Sequence, residues 1–134
     1  MKNGLMFIAV LGASGVLFGA MGRHTASALV NPDTYEIFTI GLQYQWYHTL
    51  AMFGVYLLEL RHDHANFKLS FYSFFAGIVL FSGGAYLKVL GEMYDLTWAQ
   101  SLGFINPIGG LALTLGWISL ILIAFRIMKK KETV

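Results

Sequence analysis

The side chains best suited to chemistry crowd into one short segment, GLQYQWYHTLAM, at positions 41–52. Gln43, Tyr44, Gln45 and His48 all form hydrogen bonds, and among them histidine alone changes charge near neutral pH. A histidine beside two amides could relay protons, hold a ligand or bond one helix to another. Because the segment lies in an otherwise apolar stretch, the elements around it decide which of these it does.

Composition places the chain in a membrane. Of its 134 residues, 57% are hydrophobic and 12% are charged, whereas a soluble domain carries about 25% charged residues. There is no cysteine, which excludes disulfides and thiolate-held metal or iron–sulfur centres. The sequence also has no Ser-His-Asp order, phosphate-binding glycine loop or HExxH zinc motif. We therefore expect no enzyme activity, no cofactor and no metal site.

Uncharged stretches of about 20 residues, long enough to cross a bilayer, divide the chain into four helices. The predicted fold is an all-α membrane protein, a single four-helix transmembrane bundle over residues 1–134, with spans near 4–22, 37–58, 69–88 and 107–126. Asn31-Pro32 and Asn106-Pro107 each match an N-cap followed by proline at the first helical position. They predict where the second and fourth helices begin, the fourth at Pro107.

Lysine and arginine counts orient these spans. Seven of the nine basic residues lie on the side that holds both termini and the loop between the second and third spans. We expect both termini to be cytoplasmic, in the inner (plasma) membrane. The N-terminal apolar run followed by Ala26-Ser27-Ala28 also resembles a signal peptide. The Gly15 and Gly19 pair is typical of a packed transmembrane helix, so we expect the segment to be retained.

The helical period assigns faces to the second span. One arc has no strongly polar group and is predicted to face lipid; it contains Leu42, Trp46, Leu50, Phe53 and Leu57. Tyr44, Tyr47 and His48 lie opposite, with Gln43 and Gln45 flanking them. Since unpaired polar groups are expensive in hydrocarbon, we predict that His48 points into the bundle and hydrogen-bonds another helix.

Polar and glycine-rich stretches of all four spans converge on the outer half of the bundle. They predict a candidate polar pocket lined by His24, Gln43, Tyr44, Gln45, His48, Ser82 and Asn106. Small residues let transmembrane helices approach closely. The predicted helix-packing positions are Gly12, Gly15, Gly19, Gly83, Gly84, Gly109, Gly110 and Gly116.

Four ordered motifs carry a resemblance to a known family. They are Gly19 to His24, Tyr44-Gln45-x-x-His48, Phe81-Ser82-Gly83, and Pro107 to Gly110 followed by Gly116-Trp117. Through them the chain resembles the uncharacterised small membrane proteins of domain-of-unknown-function family 423, which includes bacterial members and a vertebrate mitochondrial transmembrane relative. The resemblance covers nearly the whole chain and implies four transmembrane helices, but no mechanism. Met21 and Arg23 depart from the family pattern, and Arg23 adds charge at the outer rim.

Three classes of function remain open. The first is a small accessory, assembly or scaffold subunit that packs in the membrane, as the small size and small-residue stripes favour. The second is a small oligomeric transporter or channel-like protein that uses the polar pocket, and the third is a membrane-embedded sensor or redox module. The expected partners are the lipid bilayer and either further copies of the chain or a larger membrane complex; nothing indicates nucleic acid.

Two histidine patterns invite a metal interpretation. His48 is more typical of an interhelical hydrogen bond than of a metal or haem ligand, because helix rise places His24 about 15 Å away along the bundle axis. His62-Asp63-His64 lies in a charged loop without a fourth ligand, which favours a solvated turn over a zinc site.

Overall fold

The computed structural model describes residues 1–62 and 66–132, and all regular structure within them is helical. The helices are α1 (Gly4–Met21), α2 (Ser27–Leu29), α3 (Pro32–Arg61), α4 (Lys68–Met93), α5 (Thr97–Gln100) and α6 (Ile105–Glu132). A π-helical turn, Gly22–Ala26, joins α1 to α2, and a 3₁₀ turn, Ser101–Phe104, joins α5 to α6. The described chain is thus all-α with four long helices, as predicted.

Three stretches are long and apolar enough to cross a membrane by length and composition: Gly4–Leu29, Lys68–Met93 and Thr97–Lys129. Helix α3 is not among them, although its 30 residues are enough in length. The physical reason is the glutamine, tyrosine and histidine cluster in its middle, which lowers its mean hydropathy. The helix that carries the candidate chemistry is therefore the least apolar of the four.

Helices α3 and α4 form a central antiparallel pair, and their contact supplies much of the core. The fully buried side chains here include Met52 and Val55 from α3 and Phe71 and Phe74 from α4. At the other end of the pair, a methyl group on Gly41 would lie 2.6 Å from the Cβ of Ala85. Glycine at this position therefore sets the separation of the two helices.

Helix α1 packs against α3, with aromatic contacts to α4. The rings of Phe7 and Phe75 are 5.0 Å apart, and those of Phe18 and Tyr86 are 4.5 Å apart. A Cβ on Gly15 would lie 3.0 Å from the indole of Trp46. Trp46, predicted to face lipid, packs on α1 instead, because the missing side chain at Gly15 makes room for a large ring.

Helices α4 and α6 meet along a seam that includes four close contacts of a glycine. The contacting pairs are Phe74 with Gly116, Gly77 with Leu113, Phe81 with Gly109, and Gly84 with Asn106. Successive pairs are three, four and three residues apart along both helices, in opposite directions. This alternation is the spacing that keeps one face of each helix turned towards its partner. Ser70 extends the contact by donating to Ser119 Oγ at 2.8 Å.

Five of the predicted packing glycines lie at helix contacts and three do not. Gly15, Gly84, Gly109 and Gly116 contact their partners closely, and Gly19 lies 3.5 Å from Leu42. Gly12, Gly83 and Gly110 have no atom within 4 Å of an added Cβ, so they are not close-packing positions within the chain. A side chain added at any of the three would meet open space.

The helix ends differ from the predicted spans where side chains find other partners. Asn31 caps α3 as predicted, its Oδ1 accepting from the amide of Thr34 at 2.9 Å. Asn106 is not the cap of α6, which begins at Ile105. Its Nδ2 instead donates to the carbonyl of Phe81 at 3.2 Å. A polar contact between helices has replaced the predicted cap.

Both ends of the described chain lie at the same end of the bundle. The N-terminal ammonium of Met1 pairs with Glu59 Oε2 at 2.8 Å, near the end of α3. Ile123 of α6 shares a buried cluster with Phe67, which precedes α4. The α3–α4 connection and both terminal segments therefore face one way. Asp63 and His64 of the predicted solvated turn, and Thr133 and Val134, lie outside the described residues.

Candidate functional site

Gln45 joins three helices through a buried hydrogen-bond network. Its Nε2 donates to the carbonyl of Leu11 at 2.7 Å and to Ser14 Oγ at 2.9 Å, both on α1. Its Oε1 accepts from the hydroxyl of Tyr86 on α4 at 2.6 Å. Both amide protons and the amide oxygen are thus occupied. Because the residue is 2% exposed, these bonds remove the cost of burying an amide.

His48 joins α3 to α6. Its Nδ1 lies 2.8 Å from the carbonyl oxygen of Tyr44, and its Nε2 lies 3.2 Å from Nε1 of Trp117. A carbonyl only accepts and an indole N–H only donates. These partners assign the proton to Nδ1 and leave Nε2 as the acceptor, so His48 is the neutral tautomer. The predicted orientation is confirmed, with Trp117 as the partner on another helix.

The seven residues of the predicted polar pocket do not line one cavity. Tyr44 and His48 lie on the side of α3 that faces α6, and Asn106 lies on α6 and contacts α4, whereas Gln45 faces α1. Gln43 is exposed, because residues two apart on a helix are about 200° apart, which puts it opposite Gln45. The pocket prediction grouped both glutamines and was wrong on this point.

His24 and Ser82 also lie apart from His48. His24 is exposed in the π-helical turn that follows α1. Ser82 is 1% exposed in α4, beside Gly41, and its hydroxyl has no hydrogen-bond partner among the described residues; the same is true of Thr49. Within the described residues, no three His, Cys, Asp or Glu side chains group as metal ligands.

An open groove runs between α3 and α6, and we call it the α3–α6 groove. Its inner part has a volume of about 770 Å³ and is lined by Tyr44, Tyr47, His48, Phe81, Pro107, Gly110, Leu111, Leu113, Thr114 and Trp117. A second hollow of about 320 Å³ continues it towards the start of α3, lined by Ile37, Ile40, Phe81, Ala85, Lys88, Gly103 and Asn106. The hydrogen bond between His48 and Trp117 therefore lies in the wall of this groove.

The rim of the bundle beside the groove carries both signs of charge. Glu92 accepts from the backbone amide of Asn31 at 2.6 Å and from its side-chain amide at 2.8 and 2.9 Å. Asp33 and Lys88 line the same rim hollow, which has a volume of about 540 Å³. These contacts tie the start of α3 to the end of α4.

Sequence reasoning missed four partners in these contacts: Tyr86, Trp117, Asn31 as a donor to Glu92, and Gly77. Tyr86 and Trp117 had a signal, since tyrosine and tryptophan side chains packed between helices place their polar tips on a partner. Gly77 lies seven residues before Gly84, a two-turn spacing that would have marked the same helix face. The Asn31–Glu92 contact had no signal, because it depends on which helix ends meet.

Comparison with known proteins gives one family. The family described as Protein of unknown function (DUF423) matches residues 18–110. The chain is 36% identical to a "UPF0382 membrane protein" of Haemophilus influenzae over 121 residues, covering 90% of this chain and 92% of the relative. It is 32% identical to the "UPF0382 inner membrane protein YgdD" of Escherichia coli K12 over 126 residues, covering 94% and 92%.

A relative from a third bacterium extends the same similarity. The chain is 33% identical to the "UPF0382 membrane protein YwdK" of Bacillus subtilis over 123 residues, which covers 87% of this chain and 94% of the relative. No solved structure is significantly similar to the chain. The similarity thus covers nearly the full length of each relative.

Proposed function

This chain belongs to the DUF423 family of membrane proteins of unknown function, and from that premise we propose that it is a non-catalytic accessory or scaffold subunit. One observation carries the proposal. The two buried polar side chains of the Tyr44-Gln45-x-x-His48 motif have their hydrogen-bonding groups committed to α1, α4 and α6. The motif thus holds the helices of the bundle together.

Such bonds favour one arrangement of the four long helices. Gln45 reaches two helices besides its own, and His48 reaches a third. Interhelical hydrogen bonds within a membrane each contribute only about 0.6 kcal/mol on average. Their geometry still penalises a shifted register, because a helix that slides leaves an amide or imidazole unpaired in hydrocarbon. A rigid packing unit is what a scaffold subunit supplies.

The proposal includes four membrane crossings with both termini in the cytoplasm. Helix α3 is polar in the middle, but Gln45 and His48 are buried by α1, α4 and α6. Seven of the nine basic residues lie at the end that holds both termini, which favours that end as the cytoplasmic one. The Escherichia coli relative is named an inner membrane protein, and we propose the same membrane here.

The outer faces of α1 and α6 are the surfaces proposed to meet a partner helix. Gly12 of α1 has open space above its α carbon. Leu17 and Ile118 lie on the same two helices and are exposed. The partner is a larger membrane complex or a further copy of this chain.

Photo-cross-linking from these faces tests the proposal. A photoreactive amino acid at Leu17 or Ile118 is expected to capture a membrane protein in cells, and the control position Met52, which is 0% exposed, should not. Capture of a larger protein supports the accessory role, and capture of a second copy supports a homo-oligomeric scaffold. A chain that captures no protein from either face contradicts the proposal.

The transporter alternative makes a separable prediction. A transport path through the motif would require His48 or Gln45 to release a partner helix during the cycle. Variants that prevent the helices from separating would then stop transport while raising the free energy of unfolding. A scaffold subunit would keep its function in the same variants. Uptake or efflux that depends on His48 in a stably folded protein would therefore contradict our proposal and support a transporter.

A further inference from the structure

Three neighbouring hollows along α3 and α4 share lining residues, and we take them together as one depression. Phe81 lines both the inner part of the α3–α6 groove and the second hollow that continues it towards the start of α3. Lys88 lines that second hollow and the charged rim hollow. The depression therefore runs from Asp33 and Lys88 at the rim to His48 and Trp117 at its inner end. Its walls are mostly apolar below Lys88 and polar above it.

The apolar part is as long as one leaflet of a membrane. From Ile37 to His48 the chain advances 11 residues along α3, about 16 Å by helix rise. Half of a hydrocarbon core about 30 Å thick is about 15 Å. A lipid acyl chain that entered at the rim would thus reach the inner end of the groove, beside His48, at the bilayer midplane.

The charges at the rim match a zwitterion better than an anion. Lys88 is accompanied there by Asp33 and Glu92, so a purely anionic group would meet more negative than positive charge. Glu92 already accepts several hydrogen bonds from Asn31, which leaves Asp33 as the freer acceptor. A phosphate could approach Lys88 while an ammonium a few ångströms away approaches Asp33.

We propose that the α3–α6 groove binds one zwitterionic phospholipid of the phosphoethanolamine class. One acyl chain lies in the groove against Phe81, Leu113 and Trp117, and the headgroup lies between Lys88 and Asp33. The inference rests on the part of the proposed function that places α3 across the membrane. It does not depend on the accessory role, since a scaffold and a transporter could both hold a structural lipid.

Native mass spectrometry of the full chain tests the site. Protein reconstituted in bilayers of equal phosphatidylethanolamine and phosphatidylglycerol is extracted gently, and retained lipids are identified by mass. Wild type should keep one phosphatidylethanolamine. Gly110→Phe should lose it, because the ring fills the groove, and Gly12→Phe, an equally open glycine on α1, should keep it.

Thr114→Phe is a second groove-filling variant in case Gly110→Phe does not fold, because Thr114 lines the same part of the groove. Loss of lipid from either folded variant supports the site. Retention by both folded variants, or equal loss from Gly12→Phe, overturns it.

Headgroup variants separate the phosphate from the ammonium. Lys88→Ala should weaken retention of both phospholipids by about fivefold, the effect of one lysine near an anionic headgroup. Asp33→Asn should lower the preference for phosphatidylethanolamine and leave phosphatidylglycerol unchanged. Equal retention of the two lipids by wild type contradicts the zwitterionic assignment, and a groove filled by a second copy of the chain contradicts the lipid site. If cross-linking from α1 and α6 fails but the lipid is retained, only the accessory role is lost.

Discussion

Trp117 of α6 donates its indole N–H to Nε2 of His48 in α3 across 3.2 Å, while Nδ1 of the same imidazole faces the carbonyl of Tyr44 at 2.8 Å. A neutral imidazole has one donor and one acceptor, so both are used. The histidine that looked most suited to proton transfer therefore connects two helices that otherwise flank an open groove.

His48→Leu should destabilise the bundle by about 1–3 kcal/mol, because it leaves the indole N–H of Trp117 without its acceptor. His48→Gln should cost less, since an amide oxygen can accept from the same donor. Unfolding in mixed detergent micelles measures both. A double-mutant cycle with Trp117→Phe should give a coupling of about 0.6 kcal/mol, the average for interhelical hydrogen bonds in a membrane protein. If the free-energy changes of the two single variants add up to that of the double variant, the two side chains do not interact.

Gln45→Leu should cost about 1–3 kcal/mol, because it leaves the hydroxyl of Tyr86 without its acceptor and removes the hydrogen bond to Ser14. The matched control is Gln43→Leu, two residues away and exposed. It should be neutral or stabilising in detergent, where an exposed apolar side chain suits the surroundings. Equal losses for the two variants would show that the network around Gln45 contributes nothing specific.

Gly109→Ala should destabilise by about 1–3 kcal/mol, the range for overpacking a close contact. An added methyl group at Gly109 meets the backbone of Phe81, which cannot move aside as a flexible side chain can. The neighbouring Gly110 has no atom within 4 Å of an added Cβ. Gly110→Ala should therefore be neutral or gain up to about 1 kcal/mol from helix propensity. Thermal unfolding of the two variants compares a closely packed glycine with a neighbouring open glycine on the same helix.

Topology can be read from single cysteines in a chain that has none of its own. Exposed positions Asn3 and Asn66 lie at the end proposed to be cytoplasmic, and exposed positions Ala28 and Thr97 lie at the other end. In intact cells, a membrane-impermeant thiol reagent should label the second pair only. Labelling of the first pair would invert the proposed orientation, and labelling of Asn3 and Ala28 alike would remove α1 as a membrane span.

Much of the architecture could be predicted from order and composition. Apolar run lengths predict four long helices, and Asn31-Pro32 predicts the start of α3. These features are local, since a helix and its cap depend on residues within a few positions of each other. The inward orientation of His48 also followed from the helical period, because the polar groups of a single helix must share a face or be shielded.

The partners depended on tertiary structure. Trp46 and Gln43 were placed on the wrong faces because the period of one helix does not say which neighbour lies on which side. Only the assembled bundle puts Gly15 of α1 against Trp46 of α3, and Gly109 of α6 against Phe81 of α4. The sequence by itself determined that this is a helical membrane protein with a polar motif in its second long helix. Which helix faces meet decided that the motif bonds helices together and that a groove opens beside it, because those contacts join residues too far apart in sequence for any local pattern to encode.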